Sequence, residues 1–155
     1  MLFVTFKAGG TRFAVPGREV EEITPLVRLS PLPGAPPVVA GLMNHRGRSL
    51  PVADATHLLT GKASRHWAST RILVARVALD ASAGLIIGLL AERVFKTLQL
   101  SPQDIADPAA PAAPFIRGVA AMGDELVQIL DIARMLPAEL LERLRAADAN
   151  SPEAP

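Results

Sequence analysis

From Pro33 to Leu59 the chain reads as an apolar run (Val38 to Met43), a polar turn (Asn44, His45, Arg46, Gly47, Arg48), a second apolar run (Leu50 to Ala53) and a helical pattern opened by Asp54. The same outline recurs 77 positions later without a gap, from Gly118 to Leu136. Gly41 falls on Gly118, Asp54 on Asp131 and Leu59 on Leu136, while apolar meets apolar at Leu42/Val119, Leu50/Val127, Val52/Ile129 and Leu58/Met135. A strand, turn, strand and Asp-started helix built twice constrains the fold to two copies of one small β module.

A chain of 155 residues suits one domain, or two small subdomains sharing a core. Half of its residues are hydrophobic, so the material for that core is present, but only 4% are aromatic, so the core is expected to be aliphatic. There is no cysteine, which excludes disulfides and thiolate metal sites. Met1 leads directly into LFVTFK, without the pattern of a signal peptide. The run Ala81 to Ala91 is far shorter than the ~20 residues of a membrane helix, and Ile86 and Ile87 turn the Gly84/Gly88 spacing toward a strand. Up to Val77 the chain holds 10 basic and 4 acidic residues, and after it 6 and 11, a bias able to orient partners within a screening distance of roughly 8 Å.

In chain order, Leu2 to Phe6 and Arg12 to Val15 read as a hairpin about Gly9-Gly10, ended by Pro16. Gly17 to Glu22 reads as a short helical link presenting Val20 and Ile23 on one side, followed by a strand from Ile23 to Leu29. Ser30 to Pro37 carries four prolines in eight residues and must be a crossing loop, since proline removes a ladder donor. Thr60 to Ser69 is polar and basic, with Trp67 as its large apolar anchor. Thr70 to Leu79 and Gly84 to Thr97 read as strands joined by Asp80 to Ala83, the second covered on both faces from Leu85 to Ala91. Ser101 to Asp104 offers a helix start within a second proline-rich crossing to Pro114, and Pro137 to Ala147 reads as a terminal helix. The expected organisation is one domain over 1–147, with crossings near 30–37, 60–70 and 101–114, and a flexible tail over 148–155.

Candidate chemistry is sparse. His45, His57 and His66 match no metal-ligand spacing, so no metal site is expected. Asp54 and Asp131 precede helical patterns and read as N-caps; a hydrolytic pairing of His45 with Asp54 would need the two within hydrogen-bond reach. A small β-barrel with Arg46, Arg48, Arg65 and Arg71 is an alternative nucleic-acid binder, but the aromatic stacking surface of such proteins is missing. Arg46, at a hairpin tip between His45 and Gly47, is placed to offer its five-donor fork to a carboxylate or carbonyl of another chain.

Four stretches in this order resemble the CheW-like coupling proteins of bacterial chemosensory arrays: FAVPGREVEEI (Phe13 to Ile23), LPGAPPVVAGLMNHRGRSLPVAD (Leu32 to Asp54), GLIIGLLAERV (Gly84 to Val94) and FIRGVAAMGDELVQILDIARML (Phe115 to Leu136). The run N-x-R-G-x-x-x-P-V-x-D, Asn44 to Asp54, is the most specific. The resemblance implies a mostly β fold of two SH3-like five-stranded barrels around a shared core, with short helices, a C-terminal helix and chain termini exchanged between the barrels. It implies a non-catalytic, cofactor-free cytoplasmic adaptor. Its partners would be the cytoplasmic tip of a methyl-accepting chemoreceptor and the regulatory domain of a CheA-type histidine kinase, with membrane contact only through receptors and no nucleic acid.

Carried over position by position, the resemblance places Val20, Glu22 and Ile23 on one wall of an inter-barrel groove, Gly41 and Arg46 at the first module, and Gly88 and Val94 on the opposite wall. Val20, Ile23 and Val94 would supply apolar burial, Glu22 and Arg46 polarity and register, and the two glycines close backbone approach. Where the family often has Val-Asp-x-Val, this chain has Ala91-Glu92-Arg93-Val94, a longer acid and an added cation. The loop around Arg65, His66 and Trp67 and the stretch PLVRLSPLPGAPP look closer to adaptors of surface-sensing, wrinkly-spreader type pathways.

Overall fold

The computed structural model describes residues 1–78, 84–108 and 112–150. Its strands are β1 (Leu2–Ala8), β2 (Thr11–Pro16), β3 (Val20–Pro25), β4 (Val39–His45), β5 (Arg48–Asp54), β6 (Arg71–Val77), β7 (Leu85–Ala91), β8 (Thr97–Gln99), β9 (Ile116–Met122) and β10 (Glu125–Leu130). Helices α1 (Ala55–Thr60), α2 (Ile132–Met135) and α3 (Ala138–Asn150) follow β5 and β10. The strands form two five-stranded sheets, ordered β8-β1-β2-β10-β9 and β3-β6-β7-β5-β4. Each is an SH3-like barrel, and together they make the mostly β architecture that the sequence predicts.

The repeat is reproduced to the residue. Met43 pairs with Leu50 and Ala120 with Val127; Gly41 with Val52 and Gly118 with Ile129; and both hairpins carry an irregularity before their last pair, Val39↔Ala53 and Ile116↔Leu130. The three identities have physical reasons. A Cβ on Gly41 would lie 2.6 Å from the Ser30 carbonyl oxygen, and one on Gly118 2.5 Å from Ile105 Cγ2 and 3.1 Å from the Ala106 carbonyl oxygen, so a crossing loop packs on each. Asp54 accepts the His57 N–H and Asp131 the Arg134 N–H, capping α1 and α2. Leu59 and Leu136 both pack into the shared core.

The repeat extends beyond the hairpins. Parallel pairing sets Val52 beside Gly88 in one sheet and Ile129 beside Ala14 in the other; antiparallel pairing sets Val74 beside Gly88 and Thr5 beside Ala14. Thus β1 to β5 correspond to β6 to β10, and each half of the chain gives two strands to one barrel and three to the other. This is the exchange of termini that the resemblance implies.

Alternation along the strands divides the interior into three clusters. Leu73, Ala75, Ile87 and Leu89 of one barrel meet Val4, Phe6, Phe13 and Val15 of the other in the shared core, where the Phe6 and Phe13 rings stack 6.0 Å apart. Phe3, Ala14 and Ile129 fill the first barrel, and Ile72, Val74 and Leu90 the second. β7 is covered on both faces, which explains its unbroken apolar sequence. Each fully buried Leu or Ile here contributes about 1.5–3 kcal/mol.

Several boundaries differ from expectation. The helical link is one 3-10 turn, Gly17–Glu19, and the strand after it starts at Val20 and ends at Pro25. The run read as one strand from Gly84 to Thr97 is two strands in different sheets, β7 and β8, broken at Arg93, which adopts a φ of 51°. The loops 30–37, 60–70 and 101–114 each join strands of one sheet; the passages between barrels are 17–19 and 92–96. Because the halves interleave, the charge division at Val77 is not a spatial one. Residues 148–150, expected in the tail, continue α3, while the rest of that tail and the Asp80 to Ala83 link lie outside the described residues. Ser101 to Asp104 does form a short turn, with the Ser101 N–H donating to Asp104 Oδ2 at 2.7 Å.

Candidate functional site

β3 and β4 are the two edges of their sheet, and its curvature brings them together. Ser30 and Leu42 exchange backbone hydrogen bonds of 2.8 Å across this seam. Further along it, Glu22 Oε2 lies 3.4 Å from both Arg46 Nη2 and His45 Nε2. Glu22 and Arg46, singled out separately in the sequence, are therefore one polar cluster. With the Arg46 side chain 78% exposed, solvent screens the pair, which contributes at most about 1 kcal/mol to stability. Its fork keeps donors free for another chain.

The turn geometry is unusual. Arg46 and Gly47 have φ values of 53° and 80°, positive at both central positions, as a type I′ hairpin requires. Gly47 meets that demand freely, and its N–H is held by Asn44 Oδ1 at 3.0 Å. Arginine at the first position costs about 1–2 kcal/mol of backbone strain. In the second copy Gly123 occupies this place, with a φ of 61°. The strained arginine thus belongs to one copy only.

Val20, which opens β3 directly after one passage between barrels, and Val94, within the other passage, occupy equivalent places, and both lie half-buried against the shared core. Ile23, in β3 next to Glu22, is 44% exposed and ready for apolar contact. The glycines make close approaches within the chain. Gly41 and Gly88 are buried; Gly41 faces Ser30, and a Cβ on Gly88 would lie 2.9 Å from Val52 Cγ2 and 3.0 Å from Ile72 Cγ2. Both allow close approach within the chain itself.

The sequence did not single out Phe95, 63% exposed in the second passage beside Val94, or Leu126, 68% exposed on β10. Nor did it couple His45 to Glu22, because no local pattern reports a contact that only barrel closure makes. His45 is not paired with Asp54, whose carboxylate accepts the His57 N–H at 3.2 Å and the Ser64 N–H at 2.8 Å. Among the described residues no group of three His, Asp or Glu is placed to hold a metal, and no helix is long and apolar enough to cross a membrane.

The model of the CheW-like domain matches residues 2–140. The chain is 30% identical over 140 residues to the chemotaxis protein CheW of Rhizobium meliloti, covering 88% of this chain and 87% of that one. It is 29% identical over 139 residues to the protein FrzA of Myxococcus xanthus, covering 86% and 84%. In fold it is similar to the crystal structure of the scaffolding protein TtCheW from Thermoanaerobacter tengcongensis, with a TM-score of 0.78, 19% identity and 88% of each chain covered. By the match along nearly its whole length, and by the paired barrels with exchanged strands, this chain belongs to the CheW-like family.

Proposed function

We propose that the chain is a non-catalytic adaptor that couples the cytoplasmic tip of a transmembrane chemoreceptor to the regulatory domain of a CheA-type histidine kinase, at the cytoplasmic face of the membrane. Family membership supports the chemosensory adaptor role. The observation that carries the site is the Glu22, His45 and Arg46 cluster, with an exposed Ile23 beside it and a strained arginine that the second copy lacks.

Val20, Ile23 and Val94 supply apolar contact for a receptor helix, and Glu22 and Arg46 fix its register. An adaptor shifts kinase output only by binding its on and off arrangements unequally, so this interface acts by differential affinity. The test is co-sedimentation of the Arg46→Glu variant with receptor membranes and kinase. Reduced recovery with an unchanged circular dichroism spectrum is expected; undiminished recovery removes Arg46 from the interface.

A further inference from the structure

A cleft of about 590 Å³ lies between the β1–β2 turn, α1 and the loop after it, lined among others by Gly10, Thr56, Lys62, Arg65, Trp67 and Arg93. Its loop is fixed in place: the Ser64 N–H and hydroxyl both donate to Asp54, and Thr70 Oγ1 accepts the Trp67 N–H at 2.9 Å. Trp67 Nε1 donates to Glu92 Oε1 at 2.6 Å, and the Thr56 hydroxyl donates to Glu92 Oε2 at 2.8 Å. Both oxygens of the one carboxylate lining the cleft are thus engaged from inside.

The cations are not matched. The guanidinium carbons of Arg93 and Arg65 lie 4.7 and 5.7 Å from the centre of the Trp67 ring. Cation–π attraction gathers both guanidinium groups on the one indole, which concentrates positive charge at the cleft. Among the described residues neither they nor Lys62 has a carboxylate within ion-pair distance. Arg93 is also held in the left-handed region, a conformation that costs energy in any residue but glycine.

The internal repeat supplies a control. The corresponding cleft of the other barrel is lined by Arg18, Glu19, Arg76, Gly84, Arg117, Asp131 and Arg134, with a volume of about 610 Å³. There Arg76 pairs with Glu21 at 2.8 Å, and Arg117 and Arg134 both pair with Asp131, at 3.2 and 3.8 Å. That cleft gives three of its four cations a carboxylate partner, whereas, among the described residues, the first leaves Lys62, Arg65 and Arg93 without one.

We infer that the cleft at Lys62, Arg65, Trp67 and Arg93 binds an oligophosphate, free or carried by a nucleotide. Three clustered cations call for a ligand of high charge density, since one carboxylate would leave two of them unmatched. Guanidinium forks match phosphate oxygens two at a time. The cleft volume lies within the roughly 300–1,000 Å³ range of small-molecule sites. This inference is independent of the receptor-binding surface at Arg46.

Trp67 is the single tryptophan of the chain, so its fluorescence reports directly on the cleft. The full chain is titrated at fixed ionic strength with sodium tripolyphosphate, with ATP and with a glutamate-rich peptide, and binding is checked by equilibrium dialysis. Saturable binding of tripolyphosphate at micromolar concentration is expected. Equal affinity for ATP assigns the site to the phosphates alone, and tighter binding of ATP assigns it to a nucleotide. Arg93→Gly removes a cation while suiting the left-handed backbone, so it is expected to stay folded and to bind at least about tenfold more weakly. Arg46→Glu should bind as the parent does. Absence of saturable binding below millimolar, unchanged affinity in both Arg93→Gly and the Lys62→Ala/Arg65→Ala pair, or preference for the peptide overturns the inference.

Discussion

The Arg46 guanidinium stands 3.4 Å from the Glu22 carboxylate across the seam of one barrel, while the equivalent positions of the other barrel hold Gly123 and Lys96. The duplication that builds the fold therefore does not build the site. An acid, an imidazole and an arginine close one seam, and their counterparts, Lys96, Met122 and Gly123, form no such cluster.

Arg46→Gly is the informative test of why a strained arginine is kept. Relief of the left-handed strain offsets the greater flexibility of glycine in the unfolded chain and the loss of a screened ion pair. Unfolding stability by urea denaturation should stay within about 1 kcal/mol of the parent. Co-sedimentation with receptor and kinase should fall. A loss of several kcal/mol would mean that Arg46 holds the hairpin rather than a partner.

Much of this fold was legible because its determinants are local. Asp54 and Asp131 sit where a cap must sit, and the residues from Gly41 and from Gly118 onward alternate in the same phase, so the modules could be aligned before any contact was known. The division of β7 from β8 was not legible, because the strand breaks at Arg93, which adopts a φ of 51°, and arginine gives no sign of a left-handed residue as glycine would. The seam cluster was hidden for another reason: Glu22 and Arg46 are 24 residues apart on opposite edges of one sheet, and only closure joins them. The intrachain contacts of Gly41 and Gly88 were not legible either, because glycine permits close approach equally to a partner and to the chain's own core.

Thr56→Val should expose the dependence of Glu92 on its internal partners. The two residues are 5% and 8% exposed, and the variant keeps the shape of the side chain while removing the donor to Glu92 Oε2. Leaving a buried carboxylate oxygen unsatisfied costs about 1–3 kcal/mol. Urea denaturation should report this loss with an unchanged slope, and Trp67 emission should shift, since the indole N–H shares the same carboxylate.

Gly118→Ala and Gly41→Ala should both destabilise, for the same reason in each copy. The new methyl group meets Ile105 and the Ala106 carbonyl in one and the Ser30 carbonyl in the other, at separations that force the crossing loop to move. Overpacking of this kind costs about 1–3 kcal/mol. Gly41 carries an added backbone penalty from its φ of 147°, so Gly41→Ala should be the more damaging when thermal unfolding is compared.

Glu19 gives a pH-dependent prediction. It lies in the passage from the first barrel to the second, and its buried Oε2 has no hydrogen-bond partner. Burial raises its pKa above the ordinary 4.5, an effect that Arg117 opposes, Asp131 reinforces and Arg18 opposes. A carboxylate whose folded pKa is raised binds its proton more tightly in the folded chain. Its contribution therefore falls as pH rises from the unfolded pKa through the folded one, and the penalty is complete above that window. Glu19→Gln, neutral at every pH, should raise the midpoint of thermal unfolding at pH 7 and lose that advantage when the pH is brought below about 4. An advantage that persists unchanged at low pH would show that the amide stabilises by hydrogen bonding rather than by removing a buried charge.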